Sequence, residues 1–354
     1  MIKPRKEYTM KKYILALLFV FLVGGVCFAE SEDNFIMISP HVYATDLATE
    51  SLYIPGGSYL GASLTSYLSL NPGPFTIDLG VYGSHDFGDE KFLTDAKPII
   101  TVTYGLQDTF LFRIGVLDNA NNYDLLDAFK YKIDEFRREI DYGAQIKLGS
   151  EGPKYRLDMH SWVVWALLDT PEHRENLDWG TTASLHLPHF IFSGQMYWTH
   201  HGGEWYYAGD LIDYWNYAGG IENYYDLNNK ILKRVGVKAY YMSNEFHNYD
   251  AHISTYGKGV LGEVYAQLGL IRVHADMYHE ISQLNTEEGN PIYKHDDFLT
   301  VGYQVRAEVI EGFYFKSWAN VQYFLDIQKF GLETMVGFEL DYEIPVSIKR
   351  RKNT

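Results

Sequence analysis

Apolar and polar residues alternate with a period of two along most of the chain. Between residues 299 and 309, the odd positions are Leu, Val, Tyr, Val, Ala and Val, whereas the even positions are Thr, Gly, Gln, Arg and Glu. Between 336 and 344, apolar residues again take every second position, and Glu339, Asp341 and Glu343 lie between them. This period places alternate side chains on opposite faces of a β-strand. The pattern therefore predicts strands with one apolar face and one polar face.

We predict sixteen such strands, and the connections between them alternate in length. The odd connections are long, except the last, whereas the even ones are short and rich in Gly, Pro, Asn and Asp, which is turn chemistry. Three consecutive acids facing lipid would be prohibitive, so the polar faces must line a water-filled interior. The sequence thus predicts an all-β fold: a single-domain, transmembrane antiparallel β-barrel of about 16 strands. The predicted strands are 34–45, 59–70, 75–87, 97–106, 109–117, 136–149, 155–168, 176–187, 189–201, 213–227, 231–246, 259–270, 271–282, 296–310, 313–325 and 330–345.

The N-terminus has the three parts of a secretory signal peptide. Met10–Lys12 is positively charged, Tyr13–Val23 is an unbroken apolar run, and Cys27–Ala29 offers a cleavage site of small residues. The apolar run is too short to span a bilayer, which takes about 20 residues in a helix. We therefore predict a signal peptide at 1–29, a barrel at 30–346 and a basic tail at 347–354, with export to the outer membrane of a Gram-negative cell.

Composition and charge agree with this fold and narrow the function. The chain has 30 Tyr, 20 Phe and 7 Trp, which suits strands and the aromatic girdles of a membrane barrel. An aromatic-rich secreted β-sandwich is the alternative, but it gives no reason for loop lengths to alternate. Without the signal peptide the chain carries 25 Lys and Arg against 45 Asp and Glu, a net charge of −20. Such acidity argues against nucleic acid as a partner and favours cations.

The chain resembles the general porins of Gram-negative outer membranes, and the likeness rests on this architecture over nearly the whole mature length. Gly337–Tyr342 resembles the C-terminal assembly signal of barrel proteins, although Glu343–Thr354 continue beyond the usual terminal aromatic residue. The resemblance implies passive passage of small hydrophilic solutes through the membrane. It also implies a homotrimer, although no isolated apolar patch in the sequence requires one.

The third long connection, at 118–135, is similar in rank and length to the loop that folds into the pore of porins. The family's usual Pro-Glu-Phe-Gly-Gly run is absent from it, so a constriction is inferred from position alone. The alternative is an exposed surface loop. The acids that would line such a constriction are Asp118, Asp124, Asp127, Asp134 and Glu135.

Alternation also assigns charged residues to the water-facing side of the strands, because an Arg facing lipid at mid-membrane costs roughly 2–4 kcal/mol. A basic cluster opposite the acidic loop would set a field across the pore, and the excess of acids favours cations. The alternative is that neighbouring strands pair these charges and leave little net field. The pore-lining candidates are Arg113, Arg156, Arg272, Arg306, Asp78, Glu139, Asp141, Asp158, Glu263, Asp276, Glu308, Glu339, Asp341 and Glu343.

Other chemistry finds weaker support in the sequence. His160 and Ser161 are adjacent and would point to opposite faces of a strand, so they cannot form a base–nucleophile pair. His200 and His201 diverge for the same reason, which favours a solvated loop over a metal site. The aromatic segment around 205–217 could bind a saccharide, or it could be the outer aromatic girdle. The saccharide-binding candidates are Trp205, Tyr207 and Trp215.

The function that these patterns favour is an outer-membrane porin for passive diffusion of small hydrophilic solutes, with a preference for cations. It needs no catalytic residue, metal or cofactor, and its partners would be outer-membrane lipid and the solutes themselves. The alternative is a closed barrel that binds a ligand or partner through its extracellular loops. That alternative predicts loops that plug the lumen, with Trp162 and Trp318 as candidates to help fill it.

Overall fold

In the part of the chain that the structure describes, seventeen β-strand segments form one antiparallel sheet that closes on itself. The computed structural model describes residues 34–346, except 52, 55, 107–108, 120–122, 132–139, 168–173, 203–209 and 228. The predicted signal peptide and basic tail lie outside these residues. The strands are β1 (Phe35–Thr49), β2 (Gly57–Leu70), β3 (Phe75–Asp86), β4 (Asp95–Leu106), β5 (Phe110–Val116), β6 (Tyr142–Gly152), β7 (Tyr155–Leu167), β8 (Glu175–His186), β9 (Phe190–Gly202), β10 (Ile212–Asp226), β11 (Leu232–Asn248), β12 (Ile253–Leu268), β13 (Ile271–Ser282), β14 (Asp297–Ile310), β15 (Phe313–Phe324), β16 (Lys329–Leu340) and β17 (Tyr342–Pro345).

Strand β1 closes the barrel by pairing with β2 on one side and with both β16 and β17 on the other. The predicted strand 330–345 is therefore one strand in two parts. It is interrupted at Asp341, whose backbone N–H donates to the Gly312 carbonyl at 2.7 Å in the neighbouring turn. Counted this way the sheet has sixteen strands, and the predicted antiparallel β-barrel is confirmed.

The connections that follow the odd-numbered strands β1 to β15 include the longest loops and define one end of the barrel, here called the long-loop end. The turns that follow the even-numbered strands define the other, here called the short-turn end. Gly73 and Gly312 turn the chain at the short-turn end with φ of 67° and 75°, values that glycine adopts without strain. The loops are L1 (50–56), L2 (87–94), L3 (117–141), L4 (168–174), L5 (203–211), L6 (249–252), L7 (283–296) and L8 (325–328).

The prediction for the start of the sixth strand was wrong. That strand was expected at 136–149, but β6 spans Tyr142–Gly152 and Asp141 belongs to L3. The carboxylate of Asp141 accepts hydrogen bonds from the Tyr123 hydroxyl at 2.6 Å and from Asn119 Nδ2 at 3.2 Å. Because these donors lie in the same loop, the local contacts hold Asp141 there. Residues 140 and 141 therefore precede the strand that was predicted to contain them, and 136–139 lie outside the described residues.

The two faces of the sheet differ as the alternation predicted. Val301 and Phe338 point outward with 62% and 44% of their surface exposed, whereas Thr300 and Glu339 point inward and are 6% and 3% exposed. Large apolar residues continue around the outer wall on every strand. That band is the surface a barrel needs against hydrocarbon. Within the described residues, no helix has the length and apolar character needed to cross a membrane.

The hydrophobic core lies inside the barrel, towards the long-loop end. L3 and L7 fold into the lumen and pack against inward-facing side chains of the wall. A water-filled interior was predicted for the whole barrel, and this was wrong for the long-loop half, because the two loops bring their own apolar residues into it. The core includes Tyr123, Leu125 and Phe129 of L3, Leu284, Ile292 and Tyr293 of L7, and Trp162, Tyr197, Met242, Tyr278, Phe298 and Phe324 of the wall.

Candidate functional site

L3 enters the lumen and attaches to the nearby part of the wall, on β7 and β9. Tyr123 stacks face to face on Trp162 of β7, with ring centroids 4.4 Å apart and planes 7° apart. Further along, Gln195 of β9 clamps the backbone: its Oε1 accepts from the Leu126 N–H, and its Nε2 donates to the Asp124 carbonyl, both at 2.9 Å. These contacts hold L3 inside the barrel and satisfy backbone groups that burial would otherwise leave unpaired.

L7 meets L3 in the lumen and locks it in place. Asn290 donates from its side chain to the Asp127 carboxylate at 2.6 Å and from its backbone to the Asp127 carbonyl at 2.8 Å. The Tyr131 N–H donates to the Glu288 carbonyl at 2.7 Å. The Tyr131 hydroxyl reaches across to the carboxylate of Glu333 on β16. We call the described parts of L3 and L7 the loop plug, because together they bridge the lumen from β7 to β16.

Charge inside the loop plug is partly compensated. Lys130 is 9% exposed, and its ammonium group lies 5.8 Å and 5.9 Å from the ring centroids of Tyr123 and Tyr197. Burial raises the pKa of Glu288, although the positive charge of Lys130 opposes the shift. The loop plug therefore holds the half-buried Glu288 and the buried Lys130, whose charges are of opposite sign.

A cavity of about 1000 Å³ occupies the lumen on the other side of the loop plug, towards the short-turn end. Asp124 and Asp127 of L3 form part of its roof, with Asn290 of L7 beside them. The walls carry as many bases as acids. The basic residues are Lys147, Arg156, Lys238, Arg272, Arg306 and Lys316, and the acidic residues are Asp124, Asp127, Asp158, Glu263, Asp276 and Glu333.

Most of the basic residues in this cavity have a carboxylate partner. Arg156 lies 2.8 Å from Asp158, and Arg272 pairs with Glu263 on the neighbouring strand. Such pairs, within one strand or between neighbouring strands, reduce the net field in the lumen; pairing between strands was the alternative raised by the sequence. Arg306 differs, because its guanidinium lies 5.6 Å from the Tyr314 ring centroid.

Three further cavity bases pair with acids outside the cavity lining, and one of them is Lys238, which lies 3.6 Å from Glu222. Lys316 lies 3.3 Å from the buried Glu339. Lys147 lies 2.6 Å from Asp118 at the base of L3. Asp118, one of the acids predicted to line the constriction, therefore forms an ion pair with a lysine of the barrel wall.

Five other predicted pore-lining residues face inward but lie apart from the cavity. Arg113 donates from Nε to Thr103 at 3.1 Å. Asp341 accepts from the Ser39 hydroxyl at 2.5 Å, and Glu308 accepts from the Gly312 N–H at 3.0 Å. Asp78 and Glu343 lie on β3 and β17, where they sit opposite Thr101 and Met37 in the ladders. Glu139, Asp134 and Glu135 lie outside the described residues.

Trp215 is on the outer face of the barrel, not in the lumen. Its ring stacks on Trp198 with centroids 5.3 Å apart and lies 6.5 Å from Trp179, so three tryptophans form a row across β8, β9 and β10. An outward row of tryptophans is the geometry of an aromatic girdle. The other saccharide-binding candidates, Trp205 and Tyr207, lie outside the described residues.

The side chains of His160 and Ser161, and those of His200 and His201, point to opposite faces of their strands, as strand geometry requires. His160 points inward to Gln145 at 3.2 Å, whereas Ser161 faces outward and accepts from the Trp179 indole. His200 contacts Asp213 at 2.6 Å on the outer face. His201 points inward and contacts Glu287 of L7. Among the described residues, no group of three or more His, Cys, Asp or Glu side chains is placed to hold a metal ion.

One group of interacting side chains, at the mouth of the barrel on the long-loop side, was not predicted from the sequence. Ser51 of L1, His295 of L7 and Asp326 of L8 form a hydroxyl–imidazole–carboxylate chain. The Ser51 Oγ lies 2.7 Å from His295 Nε2, and His295 Nδ1 lies 2.8 Å from an Asp326 oxygen. The three residues come from separate loops, with Ser51 and His295 being 244 positions apart. No local motif marks them, so no sequence signal could have joined them.

Solved structures of other proteins have a similar fold over most of this chain. Pseudomonas aeruginosa OccK3 (OpdO) matches with a TM-score of 0.54 and 10% identity, over 92% of this chain and 99% of that one. Salmonella typhi OmpF, solved with daunomycin, matches with a TM-score of 0.52 and 11% identity, over 88% and 98%. Acinetobacter baumannii OccAB2 has a TM-score of 0.53 and 9% identity, over 89% and 99%. These neighbours are Gram-negative outer-membrane porins, so the predicted resemblance to porins is confirmed as a likeness of architecture.

Two comparisons concern the sequence itself. No curated protein matches the chain significantly. A family model described as lipid A 3'-O-deacylase-type matches residues 43–351. The match begins within β1 and extends beyond the last strand, so it covers essentially the whole barrel.

Proposed function

This chain belongs to the lipid A 3'-O-deacylase-type family, and we propose that it serves in the outer membrane as a narrow, porin-like passage for small hydrophilic solutes. Its apolar outer wall and closed sheet suit that membrane. A signal peptide at 1–29 would direct it there. Assembly as a homotrimer belongs to the same proposal, by analogy with porins.

The charged cavity of about 1000 Å³ beneath the loop plug carries this proposal. A barrel that needed only a stable core would gain nothing from the ion pair of Arg272 and Glu263 inside it, since ion pairs that are largely removed from solvent seldom improve stability over packed apolar residues. A hydrated lumen with paired wall charges lets polar solutes diffuse and disfavours apolar ones. The loop plug restricts the passage to small solutes, and no covalent chemistry or cofactor is required.

We further propose a mild preference for cations. The cavity lining is balanced, with six basic and six acidic residues, so the lumen alone gives little selectivity. The excess acid of the mature chain lies elsewhere, and Glu287 and Glu288 of L7 place part of it in the loop plug itself. Cations would therefore be enriched at the long-loop mouth, and salt would weaken the effect.

Conductance of the purified, refolded protein in a planar bilayer under a KCl gradient tests the proposal. We expect discrete steps in current, with a reversal potential shifted towards the equilibrium potential of K⁺. Equal permeability of K⁺ and Cl⁻ would refute the cation preference and leave the passage standing. Silence from protein that is folded and inserted would refute the passage, and would favour a closed barrel that binds ligands through its loops.

A second candidate function is hydrolysis of a carboxylic ester. The family's description names an O-deacylase, which is an ester hydrolase. The observation that favours this activity in the present chain is the contact of Ser51 with His295 and of His295 with Asp326. Release of a coloured alcohol from an ester substrate would support the activity, and its absence with folded protein would refute it.

A further inference from the structure

We propose that Ser51, His295 and Asp326 form a nucleophilic site that hydrolyses a water-soluble carboxylic ester at the long-loop mouth of the barrel. The inference rests on the second proposed function and names its nucleophile, its base and the side from which the substrate arrives.

The hydrogen-bond pattern fixes the role of each residue. An Asp326 carboxylate can only accept, so the proton must be on His295 Nδ1, 2.8 Å away. In the neutral ring this leaves Nε2 as an acceptor, 2.7 Å from the Ser51 Oγ. The serine hydroxyl therefore donates to the imidazole. This is the arrangement in which an imidazole can remove the proton of a serine as it attacks.

The imidazole is held rigidly. His295 is fully buried and stacks on Phe324 with ring centroids 4.1 Å apart, and the Tyr53 ring contacts it edge-on at 5.1 Å. Asp326 keeps 22% of its side chain exposed. Catalysis by a general base depends on such fixed orientation of its nitrogen.

The reaction that these groups can perform is balanced by one water molecule. Ser51 Oγ would attack the ester carbonyl carbon as its proton moves to His295 Nε2. The bond to the alkoxy oxygen then breaks, and the alcohol leaves with that proton. Water next attacks the acyl–serine ester and gives its proton to His295, which returns it to the serine oxygen as the acid departs. Ester and water yield acid and alcohol.

The position of the site selects the substrate. Phe324 points inward from β15 and belongs to the core inside the barrel, so His295 lies within the mouth and not on the outer wall. An ester held in the bilayer cannot reach Ser51 from the outer apolar face. Tyr53, which is 49% exposed, offers an apolar surface beside the serine at the mouth. We infer a short-chain ester that arrives from the aqueous side.

A second hydroxyl–imidazole contact in the chain supplies a matched control. On the outer face, Ser254 lies 2.9 Å from His247 Nδ1, and Glu245 lies 3.5 Å from the other nitrogen. That carboxylate is at the limit of hydrogen bonding, and both Ser254 and Glu245 are exposed. Ser254 should therefore not be activated.

The test combines a fluorophosphonate probe with hydrolysis of p-nitrophenyl acetate, both on refolded full-length protein. Wild type and Ser254→Ala should be labelled and should release nitrophenolate, whereas Ser51→Ala should do neither. Asp326→Asn should slow hydrolysis by on the order of 10²- to 10⁴-fold while leaving the barrel folded, because it destroys the tautomer that the base requires. Heat-modifiable gel migration reports the folded barrel in each variant.

The two proposals fail in different ways. If the Ser51→Ala variant still hydrolyses the ester, Ser51 is not the nucleophile and this site is refuted, whereas the proposed ester hydrolysis is not. No labelling and no hydrolysis by folded wild type would overturn both, and would make the triad a latch that joins three loops. Faster turnover of a long-chain ester in vesicles than of the acetate would overturn the inferred water-soluble substrate.

Discussion

Replacing Tyr131 with Phe removes one hydroxyl that joins L3 to the far wall of the barrel, at Glu333. Removing one partner of a buried hydrogen bond costs about 1–3 kcal/mol of stability. A loss of about 2 kcal/mol lowers the ratio of docked to undocked loop roughly 30-fold, at about 1.4 kcal/mol per factor of ten. The bonds between Asp127 and Asn290 remain, so the loop stays mostly docked. We therefore expect rare excursions to a wider pore to become about 30-fold more frequent.

Single-channel recording measures this directly. Tyr131→Phe should show brief openings of higher conductance far more often than wild type, with the main conductance level unchanged. Tyr303→Phe is the control, because Tyr303 points outward from β14 and is 40% exposed. Identical records from wild type and Tyr131→Phe would show that the loop plug does not limit the passage, and the reasoning from the cross-lumen contact would fail.

Three further predictions concern stability. Burial raises the pKa of Glu288 in the folded protein above its value in the unfolded chain. Ionisation of Glu288 in the folded state therefore opposes folding. The stability that is present below the unfolded-state pKa is lost as the pH rises through the folded-state pKa. Glu288→Gln should therefore raise the melting temperature at pH 8 and leave it unchanged in acid, and an equal gain at both would contradict this. Val301→Arg should cost about 2–4 kcal/mol of folding free energy in lipid vesicles, because Val301 faces outward; a denaturant midpoint like that of wild type would refute the outward assignment. Gly180→Ala should destabilise by about 1–3 kcal/mol, since its Cβ would lie 2.1 Å from the Trp162 ring, whereas Gly194→Ala meets no atom within 4 Å and should be neutral in the same titration.

The barrel was predictable because its signals are local. Each strand carries its own period of two, and Thr300 and Val301 adopt opposite faces for the same reason as every other adjacent pair. Turn residues such as Gly312 mark the reversals without reference to distant parts of the chain. The boundary at Asp141 escaped prediction because hydrogen bonds from within L3 compete with the ladder there.

The site was less predictable because it depends on contacts between distant loops. Alternation placed Arg272 and Glu263 on the inner face, but it could not show that they pair. The position of L3 indicated a constriction, whereas its bond to Asn290 of L7 depends on a residue 163 positions away. Likewise, Ser51 becomes a candidate nucleophile only because the fold brings L1 and L7 together and places it against His295.

The closure of the sheet has a consequence for how the protein is made. The barrel is sealed where β1 meets β16 and β17, and residues as far apart as Ser39 and Asp341 meet there, 302 positions along the chain. Contacts of such long range are slow to form. Until they do, both terminal strands have unpaired backbone edges, which can recruit strands from other chains. Productive folding therefore requires these edges to be shielded until the last strand has been delivered, and aggregation would begin at this seam.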